Sequence, residues 1–350
     1  MRVRRYLIPL AVYVLTLVAG WLVSHAKQQV IRECIRGAEE KQPVIVTDCK
    51  SRKFWPLRLH TLGGDEIPLG TTNVAQPGGT SDVFLTGDGK LCFWHYAMFF
   101  GTAELWEIPL PKTVPRLLGS YRSDDVLNAI SHRVPLWTVP DVPWRAQQSD
   151  DGLRLYNYST GAVKHLEPRS SPPWAPEEEG QERAIYELFL SPDASCLVAA
   201  CFSRSQPKET NIFRYDIDRD EWAQIAQGPF FLSECTVGPG GDVIALFDLS
   251  ATPVGLVFLD GRTGETLLSI PGSTAPAIGR KWAGCVEYAG GPNYVLRIFD
   301  MEDDWRSYRI PISDQVLTGT PGSIARAIEL ALYEPDLARP ARPPSVNISQ

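Results

Sequence analysis

The feature that most constrains this chain is a unit of strand, polar turn and strand that recurs six times. The copies read FWPLRLHTLGGDEIPL, AELWEIPLPKTVPRLL, DGLRLYNYSTGAVKHL, NIFRYDIDRDEWAQI, GLVFLDGRTGETLLSI and YVLRIFDMEDDWRSYRI. They close on Leu69, Leu118, Leu166, Ile225, Ile270 and Ile310, which are 49, 48, 59, 45 and 40 positions apart. A period in the forties built of strands is the mark of propeller blades, because one meander cannot bury both of its faces and needs neighbours stacked around an axis. Upstream of several copies a second pair of strands recurs, in DVFLTGDGKLCFWHY, LFLSPDASCLVAACF and CTVGPGGDVIALFDL. Each full unit therefore reads as four strands. The expected fold is all-β, a β-propeller of about six four-stranded blades over residues 44–335, preceded by a transmembrane helix.

The repeat explains two stretches that would otherwise suggest chemistry. Asp216, Asp218 and Asp220 have the D-x-D-x-D spacing of a calcium loop, and Gly63–Glu66 spell the GGDE of diguanylate cyclases. Both fall in the same slot, the turn between the last two strands of a unit, where Gly and Asp supply positive φ and side-chain-to-backbone bonds. A calcium loop of the EF-hand type also needs Gly at its sixth position and Glu at its twelfth, whereas Glu221 and Trp222 here begin a strand. The cyclase reading would require helices alternating with strands, and the chain lacks that pattern. Turn chemistry is the expectation for both.

With these motifs in hand, the chain resembles propellers built from TolB-type repeats, relatives of tryptophan–aspartate repeat proteins. Their units carry an SPDG turn and a D-x-x-x-G turn. LSPDA at Leu190–Ala194 matches the first, with looser copies in LTGDG at Leu85–Gly89 and VGPGG at Val237–Gly241. The resemblance covers most of residues 44–313 and implies six blades. The unit from Asp124 to Arg169 departs from the pattern, because VLNAISHRVPLWTVPDVPWRAQQS contains no clear turn. A weaker likeness, LDGRTGETLLS at Leu259–Ser269 and YNYSTGAVKHL at Tyr156–Leu166, is to propellers that dock a quinone cofactor. Leu267 and Leu268 stand where that family has a blade-packing Trp, so the T-G pair reads as turn chemistry and no cofactor is implied.

The segments around the repeat set the expected compartment. Arg2, Arg4 and Arg5 precede an uncharged apolar run of 18 residues, Tyr6–Val23. A basic flank stays cytoplasmic and sends the rest of the chain across the membrane. Residues 1–26 read either as an uncleaved signal-anchor or as a signal peptide cut after Ala26, at the small-x-small site Ser24–Ala26. The expected localisation is thus a single-pass membrane protein with an extracytoplasmic body, or alternatively a secreted one. Residues 27–43 read as a stalk with a short helix, in which Val30, Cys34 and Ala38 share one face. Pro168–Arg183 is a Pro-rich, then acidic, insertion, and 336–350 is a Pro-rich tail. Val44–Asp48 and the segment VLTGTPGSIARAIELALYEP compete for the inner place of the first unit, and ARAIELAL reads equally well as a helix.

Charge and cysteine usage narrow the function classes. A formal charge of −7 without a Lys/Arg stripe in the body gives no footprint for a phosphate backbone, so nucleic acid is excluded as a partner. Of the seven cysteines, Cys34, Cys49, Cys92, Cys196, Cys201, Cys235 and Cys285, four (Cys92, Cys196, Cys201 and Cys285) lie in apolar runs, where a thiol behaves as a small core hydrophobe; buried thiols are the expectation, with room for one bridge. The chain has no G-x-S-x-G, H-E-x-x-H or G-x-x-x-x-G-K-[ST] motif. His25, His60, His95, His132 and His165 are far apart in sequence; His95, among aromatics in CFWHYAMFF, is the one to inspect. Trp222 and Trp305 follow acidic turns at matching places, as blade-packing residues would. Asn157 and Asn347 open glycosylation sequons that count only in a eukaryotic host.

No catalytic, cofactor-binding or metal-ligating residue is assigned. The expectation is a membrane-tethered extracytoplasmic binding or scaffolding module. Its partner is another envelope or extracellular protein, or a small ligand at the propeller axis. The alternative is a hydrolase or lyase acting on carbohydrate or lactone through an acidic or metal site in the central channel, which would require two close carboxylates or a bound ion.

Overall fold

A computed structural model describes residues 4–39, 42–49, 57–70, 80–85, 91–97, 102–110, 114–122, 144–149, 152–157, 163–166, 183–191, 195–203, 206–288, 294–312 and 328–334. The described residues open with one continuous helix, α1 (Arg4–Glu39), and otherwise form β-strands, their connections and one 3-10 turn. The first blade contains β1 (Val44–Cys49), β2 (Leu57–His60) and β3 (Glu66–Gly70). The second is β4 (Thr80–Leu85), β5 (Leu91–Ala97), β6 (Thr102–Ile108) and β7 (Arg116–Arg122). A third sheet holds β8 (Trp144–Ser149), β9 (Gly152–Asn157) and β10 (Val163–Leu166). The fourth blade is β11 (Arg183–Leu190), β12 (Cys196–Ser203), β13 (Gln206–Asp216) and β14 (Glu221–Gly228). The fifth is β15 (Phe230–Val237), β16 (Val243–Asp248), β17 (Gly255–Asp260) and β18 (Thr266–Pro271). The sixth is β19 (Ser273–Ile278), β20 (Trp282–Tyr288), β21 (Tyr294–Asp300) and β22 (Arg306–Pro311). The last strand, β23 (Ile328–Tyr333), returns to the first blade.

The propeller expectation holds, with a correction to the blade count. The described residues complete five four-stranded blades rather than six, and the remaining sheet has three strands in the order β10-β9-β8. That sheet is the unit whose upstream half has no turn signal. Its place for a first strand falls at residues 123–143, outside the described residues. The insertion at Pro168–Arg183, all but its last residue, and the tail 336–350 also lie outside them. Where blades are complete their first strands touch around the ring: β11 meets β15, β15 meets β19, β19 meets β23, and β23 meets β4.

The closing Leu or Ile of the repeat has a simple physical basis. Within a blade the third strand is covered on both sides, so β17 is buried at five successive residues from Gly255 to Leu259. The fourth strand lies at the rim, and in each of β14, β18 and β22 a single residue is fully buried: Ile225, Ile270 and Ile310. One such apolar side chain per rim strand, stabilising by about 1.5–3 kcal/mol, is enough to fix the inward face. Apolar clusters fill the seams between blades. Phe189, Val198, Ile244 and Val257 pack the fourth against the fifth, and Ala245, Phe258, Cys285 and Phe299 the fifth against the sixth.

The competition for the first blade resolves in favour of both segments. The strand order is β23-β1-β2-β3, so residues near the end of the sequence supply the inner strand and Val44–Cys49 the second. Val44 pairs with Tyr333 and Cys49 with Ile328 in a continuous antiparallel ladder. ARAIELAL is thus a strand over Ile328–Leu332 rather than a helix. The helix-favouring Ala content is overridden because Leu330 and Leu332 are buried in the seam with the sixth blade and Ala331 in the seam with the second.

The helix departs from expectation in two ways. Anchor and stalk are not separate elements, because α1 runs unbroken from Arg4 to Glu39. Among the described residues no helix is long and apolar enough to cross a membrane.

Candidate functional site

The two acidic turns are turns in the structure as well. Asp216 ends β13, and its Oδ1 accepts the backbone N–H groups of Asp218 (3.2 Å) and Arg219 (3.0 Å). Asp220 sits at φ +63° and accepts a hydrogen bond from the Tyr215 hydroxyl; burial first, and then that bond, push the Tyr215 pKa up. The same device recurs one blade on, where Asp260 Oδ1 accepts N–H groups from Arg262 (2.8 Å) and Thr263 (2.7 Å). In the sixth blade Asp300 Oδ1 accepts from Glu302 (3.0 Å). An Asp at the end of the third strand therefore stops the strand and shapes the turn. At Gly63–Glu66 the cap is Thr61, whose Oγ1 accepts the Asp65 N–H (3.1 Å) while Gly64 takes φ +91°. Among the described residues no group of three or more His, Cys, Asp or Glu is placed to hold a metal.

The ring-closing seam carries polar groups that no sequence motif marks. Glu334, the residue after β23, is buried, and its carboxylate accepts backbone N–H groups from Arg280 (2.9 Å), Lys281 (3.2 Å) and Trp282 (3.0 Å) in the turn between β19 and β20. Gly279 is needed beside it, because a Cβ there would come 2.3 Å from Glu334 Oε1. Burial pushes the Glu334 carboxyl above its ordinary value, against the opposing pull of those N–H groups and of the Arg280 charge. This latch ties the first blade to the sixth without a covalent hairpin.

On the same blade His60 is fully buried, its Nε2 2.8 Å from Thr47 Oγ1. Its Nδ1 meets no hydrogen-bond partner among the described residues, and Arg58, paired with Glu66, lies on the same face of the strand. Burial first, and then the Arg58 charge, lower the His60 pKa to about 4, so the ring is neutral at physiological pH. His60 is thus a structural histidine. The side chain of His95, like those of His132 and His165, lies outside the described residues. Cys92, Cys196, Cys201 and Cys285 are buried, as their apolar runs implied, and burial raises the Cys285 pKa to about 12. Trp305 packs against Phe258 and Phe299 in the seam between the fifth and sixth blades, and Trp222 lies 4.7 Å from Tyr215.

The surface with the clearest capacity to engage something else is α1. Its large apolar side chains from Val12 to Val23 are 48–70% exposed and lie on every side of the helix, so no single face is buried. Trp21 stacks on His25 one turn later, with ring centroids 5.3 Å apart. Beyond Lys27 the character changes. Ile31 is fully buried in one cluster with Val44, Val46 and Leu59 of the first blade and Leu91 and Phe93 of the second, and Cys34 and Ile35 pack against it. The docked face holds Ile31, Cys34 and Ile35, Val30 points outward, and the side chain of Ala38 lies outside the described residues. Burial and the nearby Asp65 and Glu33 carboxylates raise the Cys34 pKa.

No family model and no curated protein matches this chain. Solved structures that resemble it include TolB from Acinetobacter baumannii, at 14% identity and a TM-score of 0.49, covering 83% of this chain and 66% of that one, just under two thirds of its length. A nidogen/laminin complex aligns at 9% identity and a TM-score of 0.45, over 84% of this chain and 99% of that one. Putative TolB from Agrobacterium tumefaciens aligns at 12% identity and a TM-score of 0.41, over 83% and 98%. These likenesses concern fold alone, and no ligand or partner passes from them to this chain.

Proposed function

We propose that the chain is a membrane-tethered, extracytoplasmic β-propeller that acts as a binding or scaffolding module for another envelope or extracellular protein, or for a small ligand at its axis. The observation that carries this reading is the all-round exposure of apolar side chains over Val12–Val23. A helix apolar on every side is stable only within a protein core or a bilayer, and no core covers this one among the described residues. Two further features support it. The apolar run begins at Tyr6, so the whole run has the 18 residues that approach a bilayer span. Arg2, Arg4 and Arg5 before it favour a cytoplasmic start and an exported body.

Membrane fractionation tests the tether. The full-length chain should sediment with membranes, resist alkaline carbonate and be released by detergent, while a chain starting at Lys27 should be soluble. A reporter that is active only after export, fused behind residue 350, should be active. Release of the full-length chain by carbonate alone would overturn the tether, and an inactive reporter would overturn the orientation. Crosslinking of the tethered chain, with recovery of a specific protein that the soluble form does not capture, tests the scaffolding role.

A further inference from the structure

We infer that α1 is a rigid post which holds the turn end of the first blade next to the lipid surface; this rests on the tether reading above. A four-stranded meander alternates its connections between the two ends of the ring. The turns between first and second strands and between third and fourth strands share one end of the ring, and the other connections share the opposite end. Several contacts confirm that neighbouring blades keep these ends together. Arg214 Nη2 donates to Gly240 O (3.1 Å) in the first turn of the next blade, and a Cβ on Gly264 would meet Ile225 O of the preceding blade. Arg262 joins the third turn of the fifth blade to Asp242 in its first turn (2.9 Å).

The helix enters the propeller at this turn end. Val44, the first residue of β1, pairs with Tyr333, which precedes the Glu334 latch on the first turn of the sixth blade. The Cys34 thiol feels the Asp65 carboxylate, which lies in the third turn of the first blade. The helix ends at Glu39, Pro43 is buried and the strand begins at Val44. Ile31 is locked in the core between two blades. From Val23, the last residue of the apolar run, to Ile31 is eight residues of unbroken helix, about 12 Å at 1.5 Å per residue.

A helix fixed at one end by core packing and continuous to the other transmits its orientation to the propeller. Trp21, His25 and Lys27 then lie at the headgroup level, where amphipathic and basic side chains settle. The turn Gly63–Asp65 becomes the membrane-proximal part of the ring. The connection Leu249–Val254 of the fifth blade, at the opposite end, points away from the membrane and carries the exposed apolar side chains Leu249 and Val254.

Energy transfer from site-specific probes to an acceptor lipid tests the geometry in proteoliposomes of the full chain. Gly63→Cys and Ser250→Cys place thiols at exposed positions of the two ends, and the wild-type chain gives the labelling background. Transfer should be strong from position 63 and several-fold weaker from position 250. A flexible Gly-Ser insertion after Ala26 should bring the two values together. Equal transfer from both positions in the intact chain, or stronger transfer from position 250, overturns the rigid post. Flotation of the same samples separates the two readings: failure to float with the liposomes overturns the tether itself, and with it the post.

Discussion

At the scale of single residues, the ring-closing blade is unusual in burying two titratable groups whose pH responses oppose each other. His60 has a folded-state pKa of about 4, below its ordinary 6.5. The unfolded chain therefore takes up a proton as pH falls through 6.5, while the folded chain refuses it. Stability is full above 6.5, falls between 6.5 and 4, and loses up to about 3 kcal/mol across that window. Glu334 works in the other direction. Its carboxyl is raised above 4.5 by burial, so the folded state holds the proton longer and the Glu334 contribution declines as pH rises through that range. His60→Gln keeps a partner for Thr47 and removes the titration. Urea unfolding at several pH values should show the wild-type midpoint dropping between pH 6.5 and 4 and a markedly flatter profile for the variant. Parallel profiles would mean that His60 titrates alike in the folded and unfolded states. Neither role was legible in the sequence, because His60 and Glu334 owe their burial to strands from the far end of the chain or from a neighbouring blade, and the local strings RLHTL and LYEP have no signature of it.

At the scale of elements, most of what the structure shows about blades could be read from the chain. The closing Leu and Ile were visible because a rim strand buries one side chain at a fixed place, and the acidic turns because an Asp ends the third strand in three successive blades. What periodicity could not show was the continuity of α1 or its docked face, since both depend on the groove between the first two blades. Glycines in matching turns also look alike in sequence and differ sharply in space. Gly264 takes φ +74°, and a Cβ there would fall 1.6 Å from Ile225 O of the preceding blade. Gly63 has no positive φ, and its nearest neighbours lie at ordinary contact distance. Gly264→Ala should therefore destabilise by about 3 kcal/mol, because rigid backbone rather than a flexible side chain must move. Gly63→Ala should stay within about 0.5 kcal/mol of wild type. Denaturant midpoints of the two variants compare them directly, and similar losses would contradict the close packing of blade turns.

At the scale of the whole molecule, the first blade is completed by a strand, β23, that no hairpin joins to its neighbour β1. The inner strand β23 is held by its ladder to β1, by Leu330 and Leu332 in the seam with the sixth blade, and by the Glu334 carboxylate on the turn after β19. Removing it would expose the edge of β1 together with the apolar faces of the first and sixth blades, and an unpaired edge of that kind invites aggregation. The seam also contains His60 and the Arg58–Glu66 pair, which are tolerable in the interior only while the blades stay shut. A chain ending at residue 327 should thus lose its cooperative melting transition and aggregate, although only one short strand and the residues after it are gone. A synthetic peptide spanning residues 326–336 should restore part of the transition in trans, because the closure it replaces is made of hydrogen bonds and packing rather than of chain connectivity. The same peptide carrying Glu334→Ala should restore less, since three N–H groups, that of the buried Trp282 among them, would lose their acceptor. Unchanged melting of the truncated chain would show that the ring does not depend on β23, and equal rescue by both peptides would remove the carboxylate from the closure.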